Sequence, residues 1–179
     1  MKNLDKQFKF WQFLSLTFFI ISLILGISLF KARSSKQKQF TPSQKTVSLE
    51  RKWNFIAFDR SGKTLKTTVL LSIVSVEKTN QIFVRNKPVR TTPDKSFLVL
   101  NLELENKNPE RLYFYTSDYV RFVAEGKKLE ADFKNPRLEI APFSTKKDKL
   151  AFLIENKENK FQIQIGEVVG LLETIEISF

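Results

Sequence analysis

Ser96–Asn106, SFLVLNLELEN, decides the fold. Leu98, Leu100, Leu102 and Leu104 take every second position, with Asn101, Glu103 and Glu105 in register beside them. A period of two puts the leucines on one face of an extended chain and the polar residues on the other. The stretch is therefore a strand with one buried and one wet face, ended by Asn106–Pro109.

Upstream, Val47, Leu49, Trp53 and Phe55 alternate with polar neighbours from Thr46 to Asp59, and Asp59-Arg60-Ser61-Gly62-Lys63 reads as a turn. Thr67–Val76, TTVLLSIVSV, is β-branched and apolar on both faces at first, as a central strand would be. Asn86–Lys95 holds Pro88 and Pro93 and reads as a loop. Downstream, Leu112–Tyr115 and Tyr119–Ala124 are short strands, and Glu125-Gly126-Lys127 signals a tight hairpin leading into Lys128–Phe133. Leu138–Ala141 is stopped by Pro142. Leu150, Phe152 and Ile154 face inward in Asp148–Glu155; Phe161, Ile163 and Ile165 repeat the pattern, as do Ile175, Ile177 and Phe179. About ten short strands and no helix in this region predict an all-β, antiparallel sandwich over 46–179. With five glycines in the chain, Asn, Asp and Pro must supply much of the turn chemistry.

Before this region stands Phe10–Phe30, FWQFLSLTFFIISLILGISLF, without a charge and bracketed by Lys9 and Lys31. At about 1.5 Å per residue it reaches roughly 31 Å as a helix, close to the thickness of a bilayer's hydrocarbon. A buried core helix would show a polar stripe, and none is visible. A cleaved signal peptide would need small residues at the cut, which Gly26-Ile27-Ser28 matches poorly. One uncleaved transmembrane signal anchor over 10–30 is the expectation. A literal count of flanking lysines and arginines favours a cytoplasmic carboxyl side. The very short amino segment and the exported look of the domain favour 1–9 inside and 46–179 outside, which is the orientation adopted. Residues 31–45, KARSSKQKQFTPSQK, form a basic linker. Its Lys31, Arg33, Lys36 and Lys38 are candidate contacts to an anionic surface, although a solvated spacer needs nothing more.

The 179 residues contain no cysteine and no histidine. This excludes disulfides, thiolate nucleophiles, a lipid-modified cysteine, Ser-His and Cys-His hydrolases, and sulfur or imidazole metal sites. The net charge of +11 is concentrated early: residues 1–45 carry +7 and residues 46–179 carry +4.

Residues 64–179 resemble a bacterial extracytoplasmic domain of unknown function with an immunoglobulin-like, telokin-like sandwich, usually found behind a lipid or single-helix anchor. The resemblance lies in KTTVLLSIVSVEK, SFLVLNLELEN with its closing Asn106, DYVRFVAEGKKLEA, and LEIAP followed by KKDKLAFLIEN. It implies fold and placement, and brings no catalytic residues. One departure is visible: the family commonly has Gly after that proline, where this chain has Phe143. A positive φ there would be strained, so a different local turn is expected.

Ser35/Lys38 and Ser144/Lys147 match Ser-x-x-Lys, but lie in a linker and a Lys-rich turn, where lysine stays hydrated and charged. Ser61-Gly62-Lys63-Thr64 is similar to the end of a phosphate loop, but Ala57 replaces the first glycine and a strand follows. Glu103/Glu105 and Glu173/Glu176 read as ordinary solvated acids among lysines, without a calcium loop. Tyr113, Phe114, Tyr115, Tyr119 and Phe122, with Arg111 and Arg121, form the densest aromatic cluster. Core packing accounts for most of it in a chain with 18 phenylalanines, leaving Tyr113, Tyr115, Tyr119 and Arg121 as a candidate ligand face. The expectation is a membrane-anchored, extracytoplasmic, non-enzymatic binding module for a protein or envelope polymer, without metal, cofactor or nucleic acid. The alternative is an accessory subunit of an envelope assembly (secretion, pilus or cell wall) whose anchor carries the specificity.

Overall fold

Residues 95–106 do form the strand on which the sheet is built. The computed structural model describes residues 44–124, 126–167, 170 and 172–179. The 10–30 stretch and Lys31, Arg33, Lys36 and Lys38 lie outside the described residues; among those described, no helix is long and apolar enough to cross a membrane.

In chain order the described strands are β1 (Gln44–Phe58), β2 (Thr64–Thr79), β3 (Gln81–Val84), β4 (Lys87–Arg90), β5 (Lys95–Asn106) and β6 (Leu112–Phe114). One helical turn, α1 (Thr116–Tyr119), precedes β7 (Val120–Ala124), β8 (Lys127–Leu129), β9 (Leu138–Ile140), β10 (Ser144–Glu155), β11 (Lys160–Gly166) and β12 (Leu172–Ser178). They pair into a six-stranded sheet, β10-β5-β2-β1-β6-β9, a four-stranded sheet, β12-β11-β7-β8, and the separate hairpin β3-β4. Every pairing is antiparallel.

One hydrophobic core draws on both large sheets. Leu98, Leu100, Leu102 and Leu104 supply its centre, flanked by Leu71 and Ile73 of β2 and by Leu150 and Phe152 of β10; Phe122, Phe161, Ile163 and Ile165 come from the four-stranded sheet. Each such leucine contributes about 1.5–3 kcal/mol when removed from water. Pro42–Phe179 forms one compact unit, and among the described residues the cluster lies within residues 49–179.

Three buried polar groups stitch the loops. Asn106 Nδ2 donates to the carbonyls of Glu110 (2.8 Å) and Ala141 (3.0 Å), and its Oδ1 accepts the Asn108 N–H (2.9 Å). Asp148 accepts from Thr116 Oγ1 of α1 and from Asn135 Nδ2, both at 2.5 Å. Lys78 Nζ donates to the carbonyls of Asn156 (2.7 Å) and Glu158 (2.5 Å), holding the β10–β11 loop. Burial, aided by the charge of Lys45, pulls the Lys78 pKa below the ordinary lysine value. The turn at 59–63 forms as its sequence suggests: Asp59 Oδ1 accepts from Ser61 N–H, Ser61 Oγ and Lys63 N–H, and Gly62 takes φ +87°.

Several local expectations are corrected. Lys87–Arg90 is a strand, not a loop, because Arg85 and Asn86 both take positive φ (+48° and +62°) and close a two-residue hairpin turn. Pro88 is tolerated because β4 is an edge strand. The strand expected over 128–133 stops at Leu129, and Phe133 instead makes a lone bridge to Ala151. Phe143 does take positive φ, +48°. Pro142 fixes the chain before Phe143, the Phe143 N–H donates to the Asn108 carbonyl (3.2 Å), and the Phe143 ring stands 72% exposed, free of packing demands. The strands are also less uniform than expected: β1 and β2 run 15 and 16 residues, pairing with each other over most of their length.

Candidate functional site

The first four apolar residues of β5 occupy both faces. Leu98 and Leu100 enter the main core, while Phe97 and Val99 point the opposite way. Strands buried on both faces need cover on both faces. Here the cover is the β3–β4 hairpin and the segment around Phe133. Ile82, Val89 and Phe133 pack on Phe97, Val99 and Ala151 as a second, smaller cluster. Phe133 sets its ring edge-on to Phe97 (5.5 Å between centroids) and exchanges two backbone hydrogen bonds with Ala151 (3.1 and 2.9 Å). The hairpin base is fixed by Thr91 N–H to the Asn80 carbonyl (3.1 Å) and by Arg90 Nε to Gln81 Oε1 (3.0 Å).

Between hairpin and segment, over the outer face of the six-stranded sheet, lies a cleft of about 790 Å³. Val99 and Ala151 form its apolar floor, Phe133–Pro136 one wall, and Ile82–Arg85 the other; Gln44 stands at its end. Glu77 is the one carboxylate of the lining and accepts a hydrogen bond from Asn101 Nδ2 (2.7 Å), while Lys134 pairs with Glu130 (2.5 Å), whose carboxyl is held below its ordinary pKa chiefly by that bond. Arg85 and Lys149 make no ion pair among the described residues. Phe83 stands 70% exposed on the lip. The arrangement offers an apolar floor, an aromatic lip and two cations to a ligand with an anionic group. A second concavity of about 540 Å³, between β10 and the β7–β8–β11 sheet, is bounded by Glu155, Glu158 and Glu176 with Lys160, and offers mixed charge instead.

The aromatic residues singled out from the sequence do not share one open surface. Tyr119 is in the core, stacked on Phe114 (4.6 Å, 19°) and against Phe55 (4.6 Å). Burial raises its pKa, with Glu167 and Asp118 adding to the effect. Tyr113 is also buried, its ring under the Arg137 guanidinium (4.7 Å) and its hydroxyl bonded to Glu139 (3.3 Å). Tyr115 is half-buried and meets Phe58 edge-on. Arg121, also half-buried, donates to the Ser117 carbonyl (3.0 Å). Burial thus withdraws Tyr113 and Tyr119 from the expected ligand face. Ser144 Oγ caps the Ala141 carbonyl (2.7 Å), while exposed Lys147 pairs with Glu103 (3.6 Å). Among the described residues no group of three or more Asp or Glu could hold a metal ion.

The cleft itself escaped the sequence reading, although Phe97 and Val99 beside Leu98 and Leu100 signalled that something must cover the outer face.

No family model matches the chain, and no curated protein does. Among solved structures it is similar to a conserved hypothetical protein from Bacillus anthracis, known from a 2.2 Å crystal structure. The likeness has a TM-score of 0.51 at 11% identity, covering 74% of this chain and 96% of that one. At that identity it speaks for the fold alone.

Proposed function

We propose that the chain is a membrane-tethered, extracytoplasmic, non-enzymatic binding module, with an immunoglobulin-like sandwich whose ligand site is the cleft beneath the β3–β4 hairpin. The observation that carries the binding site is the pairing of an apolar floor with an exposed Phe83 and with Arg85 and Lys149, two cations without an ion pair among the described residues. A side chain as large as Phe83, held out by a hairpin whose other face is packed, is a candidate contact for a partner. The tether rests on the uncharged length of 10–30. Two experiments test the two parts. A topology reporter fused after Phe179 should be active outside the membrane; activity on the inner side rejects the placement. Arg85→Glu with Lys149→Glu should abolish complementation of a deletion strain at unchanged protein level; full complementation rejects the cleft.

A second reading, an accessory subunit of an envelope assembly, is favoured by β1. Its edge away from β2 is paired only at Phe58↔Tyr113, leaving residues 44–57 without a strand partner there among the described residues. Such an edge can template a partner's strand. Replacing residues 10–30 with an unrelated membrane helix separates the readings, since loss of function would favour the subunit.

A further inference from the structure

We infer that the ligand met by the outer lip of the cleft is an anionic phospholipid surface, on which the β3–β4 hairpin seats the domain. The inference rests on the tethered-module reading and names the ligand class of the same site. Three observations carry it.

The hairpin, Gln81–Arg90, has Arg85, Lys87 and Arg90 and no acidic residue. Neither Arg85 nor Lys87 forms an ion pair among the described residues. Its two faces are then unlike each other. Ile82 and Val89, a cross-strand pair, are packed onto the sheet, which fixes the hairpin rigidly. Phe83 and Pro88, the next pair, lie on the other face, with Phe83 70% exposed. An aromatic ring beside cations on a fixed projection suits the headgroup–acyl boundary, where the ring leaves water and the cations meet phosphate. Finally, Gln44, at the start of β1, lines the same cleft. Thirteen residues, 31–43, separate Gln44 from the apolar stretch that ends at Phe30. An acidic peptide lying in the cleft would meet Phe83 and Arg85, but Lys87 and Pro88 stand outside the lining and would stay in water.

The test uses residues 44–179, the body of the compact unit Pro42–Phe179, with vesicles of phosphatidylcholine alone or mixed with phosphatidylglycerol. The domain should cosediment with the mixed vesicles and not the neutral ones, and added salt should release it. Arg85→Gln with Lys87→Gln should weaken binding about 25-fold, at roughly fivefold for each cation near an anionic surface. Phe83→Ser should weaken it further while leaving the unfolding midpoint unchanged. In the full chain reconstituted into such vesicles, Phe83→Trp should add blue-shifted emission that brominated acyl chains quench. Failure to bind mixed vesicles, or binding indifferent to all three substitutions, overturns the inference. So does hairpin-dependent binding of glycerol phosphate or polyglutamate in place of vesicles, or self-association through Phe83 without vesicle binding. Because the fragment lacks residues 1–43, its result is independent of the topology reporter.

Discussion

Phe143→Gly should stabilise this protein, although it removes a large apolar side chain. Phe143 takes φ +48°, a conformation that costs a non-glycine residue about 1–2 kcal/mol. Its ring is 72% exposed, so truncation loses little burial. The N–H bond to the Asn108 carbonyl belongs to the backbone and survives. Against the relieved strain stands the greater freedom of glycine in the unfolded chain, about 0.4–1 kcal/mol. The difference spans about 0–1.6 kcal/mol, and the middle of that span is a gain of about 0.5–1 kcal/mol. At a urea m-value of about 1.5 kcal/mol/M, the midpoint of residues 44–179 rises by roughly 0.3–0.7 M. Trp53, the sole tryptophan of 44–179, bonds through Nε1 to Glu173 (2.7 Å) and reports unfolding by fluorescence. Phe143→Ala is the control: it deletes the ring, keeps the strained φ, and should move stability by less than about 0.5 kcal/mol. A lower midpoint for Phe143→Gly, or equal shifts for both variants, refutes backbone strain as the governing effect.

Asp148→Ala strands the buried Thr116 hydroxyl while the exposed Asn135 amide turns to water, and should cost about 1–3 kcal/mol by urea unfolding. Lys78→Met keeps the aliphatic stem but releases the Asn156 and Glu158 carbonyls, and should cost about 1–2 kcal/mol at neutral pH. The folded-state pKa of Lys78 lies below the unfolded one, so the unfolded chain holds more protons between the two values. In that alkaline window, below the ordinary lysine value, wild-type stability should rise with pH relative to Lys78→Met, read as paired midpoints. Asp59→Ala should lower the midpoint at neutral pH by removing the bonds to Ser61 and Lys63. The Asp59 pKa is depressed in the fold, chiefly by the Ser61 hydroxyl, so its stabilisation is complete above the ordinary carboxylate value. The difference from the variant should then shrink as pH falls through that value towards the depressed one.

The sequence by itself determined the strands of the main core and the turn at 59–63. Alternation in 96–106, 150–154 and 161–165 is a local property of the chain, and burying a face with period two requires extended backbone whatever the neighbours. The tether proposed from 10–30 rests on length and missing charge alone, and those residues lie outside the described ones. Tertiary structure alone decided the outer layer. Pro88 and Pro93 argue for a loop until Phe97 and Val99 supply a surface on which Ile82 and Val89 can pack. Tyr113, Tyr115 and Tyr119 look equivalent in the sequence, yet α1 turns Tyr119 onto Phe55 and Phe114 while Tyr115 stays half-buried against Phe58. The cleft joins residues of β1, β2, β3, β5, β10 and the segment 133–136. No local pattern brings such distant residues together, because their proximity is set by strand order and by which face each strand turns to the second sheet.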